Sequence, residues 1–271
     1  MKKLLLASIA FVALIAGGPA GAADIPVRPV YKAAPAVAAD APFNWSRCYV
    51  GVHGGYGLGR NTNSFGNAVA SGVTEEGSFF PAEFGPFDHN TSGPIVGGQV
   101  GCNYQFAPNW LVGIEGELWW SGIKGSFTAP EDSPDPGRFS QFESQNRWDA
   151  DIAMRLGWVA GRNLFYVKAG AAWGNFRYDE THDDFGTALF HGCTPQCTVT
   201  LSKTVPGLLL GAGWEFAPPF WTFLTVKLEY NFINYAAFNL AYPSPGATIQ
   251  NFPVHDTKHI IKVGVNFYFP P

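Results

Sequence analysis

The last strand-like segment of the chain alternates apolar and polar residues with a period of two. Its apolar positions are Ile261, Val263, Val265, Phe267 and Phe269, and the positions between them are Lys262, Gly264, Asn266 and Tyr268. Successive side chains of a β-strand point to opposite faces, so this segment presents one apolar face and one polar face. A transmembrane barrel requires that division, because its outer face contacts lipid and its inner face contacts the lumen. The segment therefore indicates a membrane-spanning β-strand.

Seven earlier runs repeat the alternation, and each is compatible with the roughly 9–11 tilted residues that cross a membrane as a strand. With the last run, the predicted strands are Cys48–Leu58, Val96–Phe106, Trp110–Trp120, Trp148–Trp158, Leu164–Trp173, Gly207–Phe216, Thr222–Phe232 and Lys258–Phe269. The sequence thus predicts an all-β fold with eight strands.

The connections between these runs alternate strictly between short and long. The short ones are Ala107–Asn109, Val159–Asn163 and Ala217–Trp221, and the long ones are Gly59–Ile95, Ser121–Arg147, Gly174–Pro206 and Ile233–Thr257. An antiparallel up-and-down barrel with both termini in the periplasm has this arrangement, with short periplasmic turns and long extracellular loops. We predict that architecture for residues 45–271.

The start of the chain predicts export. Met1–Lys3 is a basic region, Leu4–Ala16 is apolar, and Ala20-Gly21-Ala22 is a small-residue cleavage signal, so residues 1–22 are expected to be a signal peptide. Residues 23–44 contain four prolines among Ala and Val, which predicts an extended periplasmic linker. The linker is expected to act as a passive tether, and its alternative role is an anchor to cell wall or another envelope partner.

Strand parity predicts which charged residues face the lumen. In the third run, for example, Glu115 and Glu117 lie opposite the apolar face. The nine lumen charges predicted in this way are Glu115, Glu117, Asp151, Arg155, Lys168, Glu215, Lys227, Glu229 and Lys262. Unpaired charge is costly in a narrow interior, so we expect an ion-pair network. Eight strands enclose space for side chains or one small ligand, which disfavours a wide pore.

Composition and aromatic placement agree with a membrane barrel. Only 14% of the 271 residues are charged, whereas 15% are aromatic; a soluble domain is about 25% charged. Aromatic residues flank the short turns, and a second group gathers at the opposite strand ends, as expected of two interfacial girdles. That second group is Trp119, Trp120, Trp173, Phe176, Tyr178 and Tyr235. The net charge of −4 provides no basic field for nucleic acid.

Several sequence blocks resemble the alphaproteobacterial porin-family surface antigens, within the wider group of opacity-like and OmpA-like eight-stranded barrels. The blocks are Ala22-Ala23-Asp24, the Pro/Ala linker, Trp45 with Cys48-Tyr49-Val50-Gly51, residues 97–104 (GGQVGCNY), residues 227–230 (KLEY) and residues 262–267 (KVGVNF). The resemblance covers the whole chain. The ending Pro270-Pro271 departs from it, since such barrels usually end on the aromatic residue that the insertion machinery reads.

The resemblance implies an outer-membrane protein with an envelope-structural or surface-interaction role, without enzymatic activity or cofactor. Its expected partners are outer-membrane lipid and lipopolysaccharide, the insertion machinery that reads the C-terminal strand, and a periplasmic or host-surface partner. A plugged surface barrel is the preferred function. The alternative is a small channel or solute-binding barrel that uses the lumen between Glu115, Arg155, Lys168 and Glu229.

Other patterns favour catalysis or ligand binding less strongly. The glycine-rich tract Gly54–Gly59 lacks the following helix of a phosphate-binding loop, so close strand packing is the preferred interpretation. Glu115 and Glu117 could form an acid–base pair, but ion pairing is preferred. Asp88-His89 and Asp183-Asp184 resemble the paired residues of omptin proteases, which have ten strands instead of eight. His53 is expected to be a satisfied interior histidine.

The four cysteines are expected to form two disulfides after export, because the envelope is oxidising. Cys193 and Cys197 share one loop, and they are more suited to a disulfide than to a metal site with His182 and His191. Cys48 and Cys102 lie on the same face near the periplasmic ends of consecutive antiparallel strands, so they can come within bridging distance.

Overall fold

The computed structural model of the chain describes residues 43–63, 87–130, 139–182, 197–242 and 250–270. All of them lie in the unit Asp40–Pro271. The secondary structure of these ranges comprises ten β-strands: β1 (Cys48–Asn63), β2 (Phe87–Ala107), β3 (Trp110–Ser121), β4 (Lys124–Pro130), β5 (Phe139–Ala160), β6 (Asn163–His182), β7 (Cys197–Phe216), β8 (Leu224–Tyr235), β9 (Phe238–Tyr242) and β10 (Gln250–Tyr268). In this part of the chain, no helix has the length and apolar character needed to span a membrane.

The strands form a closed antiparallel ring. Its order is β1-β10-β8-β7-β6-β5-β3-β2, and β1 closes the ring by pairing with both β10 and β2. β4 follows β3 after the break at Gly122–Ile123 and pairs with β5, while β9 follows β8 and pairs with β10. These two short strands extend existing walls of the barrel. The predicted eight-stranded up-and-down barrel is therefore confirmed.

The predicted short turns all lie at one end of the ring. Pro108 and Asn109 connect β2 to β3, and Gly161 and Arg162 connect β5 to β6. Gly161 has a φ of 62°, in the left-handed region that glycine enters without steric cost. Residues 217–223 connect β7 to β8. The long connections leave the opposite end, as the alternating gap lengths predict.

Several strands are longer than the sequence pattern indicates. β2 begins at Phe87 instead of Val96, β5 at Phe139 instead of Trp148, and β6 continues to His182 instead of ending at Trp173. The additional residues lie above the apolar band, where both faces of the wall can be polar. The period-two signal disappears there although the backbone ladder continues, so parts of the predicted loops are strand.

The outer surface between the strand ends is apolar. Its large exposed side chains include Val52, Leu58, Val100, Ile114, Leu118, Ile152, Met154, Val167, Leu208, Leu210, Leu228 and Val263. Exposed aromatic residues mark the turn end, including Phe106, Trp110, Trp158, Phe165 and Phe267, and the opposite end, where Trp120, Trp148 and Trp173 lie. Four residues of the second predicted girdle group are instead buried in the interior: Trp119, Phe176, Tyr178 and Tyr235. These four residues occupy inward positions of their strands, so they are buried although they lie near the strand ends.

The glycine-rich tract Gly54–Gly59 lies entirely within β1. A Cβ added at Gly57 would lie 2.3 Å from Cδ1 of Ile123, closer than side-chain atoms pack. At Gly55 it would lie 2.2 Å from the carbonyl oxygen of Ile261 on the neighbouring strand. The tract therefore allows close approach of interior side chains and backbone in a narrow barrel, which is a packing role.

Cys48 and Cys102 are direct partners in the β1–β2 register and form a disulfide. Both lie on the outward face at the turn end, where β1 begins. Cys193 lies outside the described residues, so its pairing with Cys197 stays a prediction.

We expect non-reducing proteolysis of the folded protein to release one joined pair of peptides that contain Cys48 and Cys102, because the register holds these residues opposite each other. Mass spectrometry before and after reduction would identify the pair. A free Cys48, or its joining to Cys193 or Cys197, would contradict the β1–β2 register.

Candidate functional site in the barrel lumen

All nine predicted lumen charges point into the interior. They come from six strands (β3, β5, β6, β7, β8 and β10), and none exposes more than 5% of its surface. Inward orientation follows from strand parity, since each charge alternates with a lipid-facing apolar residue. The nine predicted groups, five carboxylates and four cations, thus all lie in the interior of the barrel.

The centre of this region is an interdigitated set of three glutamates and three lysines. Lys168 Nζ lies 2.9 Å from Glu229 Oε1, 3.1 Å from Glu117 Oε2 and 3.3 Å from Glu115 Oε1. Lys227 Nζ lies 2.9 Å from Glu117 and 3.5 Å from Glu115. Lys262 Nζ lies 2.8 Å from Glu229 and also contacts Glu117. Each carboxylate therefore faces at least two ammonium groups, which offsets the cost of burying it.

Arg155 connects this centre to the turn end of the lumen. Its guanidinium lies 3.3 Å from Glu115 and 3.1 Å from Glu215, and it donates to the Tyr49 hydroxyl. Its Cζ lies 3.8 Å from the centroid of the Tyr166 ring, a cation–π distance. Glu215 also accepts hydrogen bonds of 2.9 Å from Asn266 and from Tyr268. The network is continuous from Glu215 to Lys262.

An aromatic cluster closes the turn end of the lumen. It consists of Phe43, Trp45, Tyr49, Leu111, Val159, Leu164, Tyr166, Ala217 and Tyr268. Phe43 and Trp45 precede β1, and the Trp45 indole N–H donates to the Gly161 carbonyl at 3.3 Å. The residues immediately before β1 therefore pack into the turn end of the barrel interior. Phe43, assigned from sequence to the linker, packs as part of this cluster.

A second apolar cluster lies on the other side of the charges. It comprises Ile95, Trp119, Ile123, Ala153, Ala172, Phe176, Tyr178, Val205, Leu209, Ile233, Tyr235, Phe238, Val254 and Ile260. Along β3 the inward residues run in the order Leu111, Glu115, Glu117, Trp119, so the charges lie between the two clusters. At this level Lys258 Nζ lies 2.8 Å from Asp149, which also accepts from the Tyr235 hydroxyl.

Polar residues also line the extracellular end of the interior, above the membrane-spanning segments. Asp256 accepts hydrogen bonds from Asn61 at 2.8 Å and from Tyr178 at 2.6 Å, and burial raises the pKa of Asp256. His89 Nε2 lies 2.6 Å from the Ser144 hydroxyl, and burial lowers the pKa of His89. Both pKa shifts favour the neutral forms of these groups at this end of the barrel.

Asp88 and His89 do not face each other. Asp88 lies on the outward face, where it forms an ion pair with Arg60, whereas His89 points inward to Ser144. Adjacent strand residues point to opposite faces, so the two side chains cannot act on one substrate atom. Asp183 and Asp184 lie outside the described residues. The structure therefore does not bring Asp88 and His89 together as an omptin-like pair.

The interior contains several polar atoms without a hydrogen-bond partner among the described residues. They include both carboxylate oxygens of Asp151, Oδ1 of Asn231 and Nε2 of His53. His53 is otherwise held by Gln99, whose Oε1 lies 2.6 Å from its Nδ1. Asp151 is thus the one member of the nine predicted charges that has neither an ion pair nor a hydrogen bond within the described part of the chain.

The described residues are poorly suited to bind a metal ion. Glu115, Glu117 and Glu229 place carboxylate oxygens within 4.8 Å of one another, but Lys168, Lys227 and Lys262 already contact these oxygens. His182 and Cys197 are register partners on β6 and β7, and their side chains lie outside the described set. His191 and Cys193 also lie outside the described residues.

The nine predicted charges leave out, among other interior polar residues, three that contact the network and two that form a separate ion pair. They are Tyr49, Tyr166 and Tyr268, whose hydroxyls contact lumen carboxylates, and the pair Asp149 and Lys258. Each occupies an inward position of a predicted strand, and all except Tyr49 are in phase with a charge that was assigned on the same strand. Applying parity to every polar position, including tyrosines, would have identified them.

A closed antiparallel barrel with an apolar outer band, aromatic girdles and a polar interior defines an outer-membrane β-barrel. The sequence model of the family described as "Outer membrane protein beta-barrel domain" matches residues 32–269. The chain belongs to this family, and the protein is located in the outer membrane.

A curated relative extends the similarity over the full length. The chain is 29% identical over 273 residues to the "31 kDa outer-membrane immunogenic protein" of Brucella melitensis, covering 99% of this chain and 100% of the relative. A protein of the same description from Brucella suis matches equally. The resemblance to porin-family surface antigens is confirmed.

Solved structures with the same type of architecture are more distant. OprG from Pseudomonas aeruginosa has 11% sequence identity and a TM-score of 0.42, covering 84% of this chain and 99% of that chain. The outer membrane protease OmpT from Escherichia coli has 9% identity and a TM-score of 0.41, covering 84% and 98%. Similarities at this level do not bear on activity.

Proposed function

We propose that this protein is a non-catalytic surface barrel with a closed lumen, which anchors its long connections at the cell surface. The observation that carries the proposal is the order of interior layers: an aromatic cluster, a continuous ion-pair network and a second apolar cluster. Each layer is formed by buried side chains. A lumen filled in this way favours a structural role over transport.

Two further observations support the proposal. The three lysines and three glutamates at the centre, which could serve as acids or bases, contact one another in ion pairs. The Brucella relative is described as immunogenic, which supports exposure of corresponding connections outside the cell. The proposed partners are outer-membrane lipid and lipopolysaccharide, the insertion machinery through β10, and a periplasmic or host-surface partner.

One observation favours a second function. Asp151 is buried with both carboxylate oxygens unpartnered among the described residues, and Asn231 has a similarly unpartnered oxygen. Buried groups of this kind normally contact water or a ligand. A small solute-binding or channel function would use the lumen around these two residues.

We expect the purified barrel to produce no stepwise current in a planar lipid bilayer, because two buried apolar clusters and the ion-pair network between them occupy the lumen. Single-channel recording is the measurement, and discrete openings would contradict the closed-lumen proposal. A Trp45→Ser variant is the informative comparison. It removes the largest side chain of the turn-end cluster but leaves the ion pairs, so it should also remain silent.

A further inference from the structure

We propose that Lys124 and Arg147, with Trp120 and Trp148 beneath them, form a binding site for the phosphate group of an outer-leaflet lipid headgroup. The site lies on the outer surface of the barrel, away from the lumen. It requires the established membrane location but does not depend on whether the lumen is closed.

The register places the two cations together on one outward face. Lys124, the first residue of β4, is the Cα partner of Gln145 on β5. Arg147 lies on β5, two residues after Gln145. Diagonal neighbours of this kind are typically about 7–8 Å apart between Cα atoms, within the reach of both long side chains. Both side chains are exposed.

A β-bulge gives Arg147 its orientation. The β5–β6 register shifts between Asn146 and Trp148, so Arg147 and Trp148 are consecutive residues that are both exposed. Asn146 points inward and fixes the bulge: its side-chain amide donates to the Asn175 carbonyl at 3.3 Å, and its backbone N–H donates to the Ile123 carbonyl at 2.8 Å. Bulges commonly redirect a side chain in this manner. The bulge therefore places the exposed side chain of Arg147 next to that of Trp148.

The height of the site matches the lipid headgroups. Trp120 and Trp148 are direct partners on β3 and β5, and they expose 55% and 37% of their surface in the extracellular aromatic girdle. Tryptophan at a girdle lies at headgroup level, with its ring against the acyl region. Arg147 is adjacent to this pair in sequence and Lys124 lies immediately above it. A lipid bound here would contact the rings with its chains and the cations with its phosphate.

The two cations differ from others on the extracellular surface. Arg60 is paired with Asp88, and Arg177 with Asp179 at 2.8 Å. Lys203 donates to the Asn239 carbonyl at 3.2 Å. Within the described residues, neither Lys124 nor Arg147 has a hydrogen bond or an ion pair, and Glu143 on the same face pairs with neither. Guanidinium and ammonium groups bind phosphate through charge-assisted hydrogen bonds, which assigns the ligand class.

The test is a titration of the folded barrel, in a zwitterionic detergent, with bisphosphorylated lipid A, followed by tryptophan fluorescence. We expect Lys124→Gln/Arg147→Gln to weaken binding about 30-fold, the loss expected for two cations at an anionic lipid surface. Lipid A without its phosphates should bind the unmodified protein as weakly as bisphosphorylated lipid A binds the variant. Unheated gel mobility would verify that each variant is folded.

A matched variant, Arg60→Gln/Lys203→Gln, removes the same number of charges from other extracellular positions and should bind within about threefold of the unmodified protein. An equal loss in both double variants would show general surface attraction and overturn the site. Displacement of lipid A by millimolar inorganic phosphate would assign the cations to a free anion and overturn the lipid assignment. A conducting barrel that retained this binding pattern would contradict the closed lumen alone.

Discussion

Replacing Leu228 with arginine is expected to reduce the free energy of unfolding by about 2–4 kcal/mol, the cost of a cation on the lipid face near the bilayer midplane. Leu228 is 47% exposed and lies halfway along the outward residues of β8, which run from Leu224 to Phe232. Its register partners are Trp214 on β7 and Val263 on β10, which also point outward. No lumen group can compensate the new charge from that position.

Leu224→Arg is the matched control, because it places the same side chain on the same face of β8 at the periplasmic interface. There the arginine can reach water, and the expected cost falls to about 0–1 kcal/mol. Urea titration of both variants in lipid vesicles, with folded protein measured by unheated gel mobility, gives the two free energies. Equal costs would contradict the depth assignment, and a silent Leu228→Arg would contradict the outward parity of β8.

The membrane-spanning part of the fold could be predicted from sequence because lipid imposes a strict pattern on it. Ile261 and Val263 must be apolar where they contact lipid, and Lys262 between them must point inward. The same pattern predicted the number of strands in the ring and the positions of the turns. Gly161 lies in one of those turns, where the backbone is left-handed and glycine is favoured. A glycine at this point is therefore a local sequence signal for the turn.

The extracellular extensions could not be predicted in this way. Residues Phe87–Pro94 of β2 form a ladder with β1, yet their sequence does not alternate between apolar and polar residues. Water contacts the outer face there, so the selection that creates the pattern is absent. The position of Phe43 was missed for a different reason. Its ring packs 5.3 Å from that of Tyr268, a partner more than 200 residues away that no local pattern reveals.

In the candidate site, parity predicts orientation but not pairing. Lys168 on β6 contacts Glu117 on β3 and Glu229 on β8, and neither strand is adjacent to β6 in the ring. Which charges meet across the lumen depends on the stagger and tilt of the strands, which follow from closure of the whole barrel. A list of inward residues therefore could not show that Asp151 would lack a partner while Lys168 has three.

Replacing Lys168 with methionine is expected to reduce the free energy of unfolding by about 3–5 kcal/mol, the cost of leaving buried charges uncompensated. Lys168 lies within 3.3 Å of Glu115, Glu117 and Glu229. Methionine fills a similar volume, so the loss reports charge rather than a cavity. Lys203→Met, at an exposed position, should change stability by no more than about 0.5 kcal/mol.

A second substitution separates charge imbalance from packing. Adding Glu229→Gln to Lys168→Met removes one carboxylate together with the missing cation, so the double variant should be more stable than Lys168→Met alone. Urea titration in vesicles gives each free energy, and the difference between variants measures the coupling of the two residues. If Lys168→Met lost less than about 1 kcal/mol, water or protons would already compensate the three glutamates. Either outcome would contradict the ion-pair network on which the closed-lumen proposal rests.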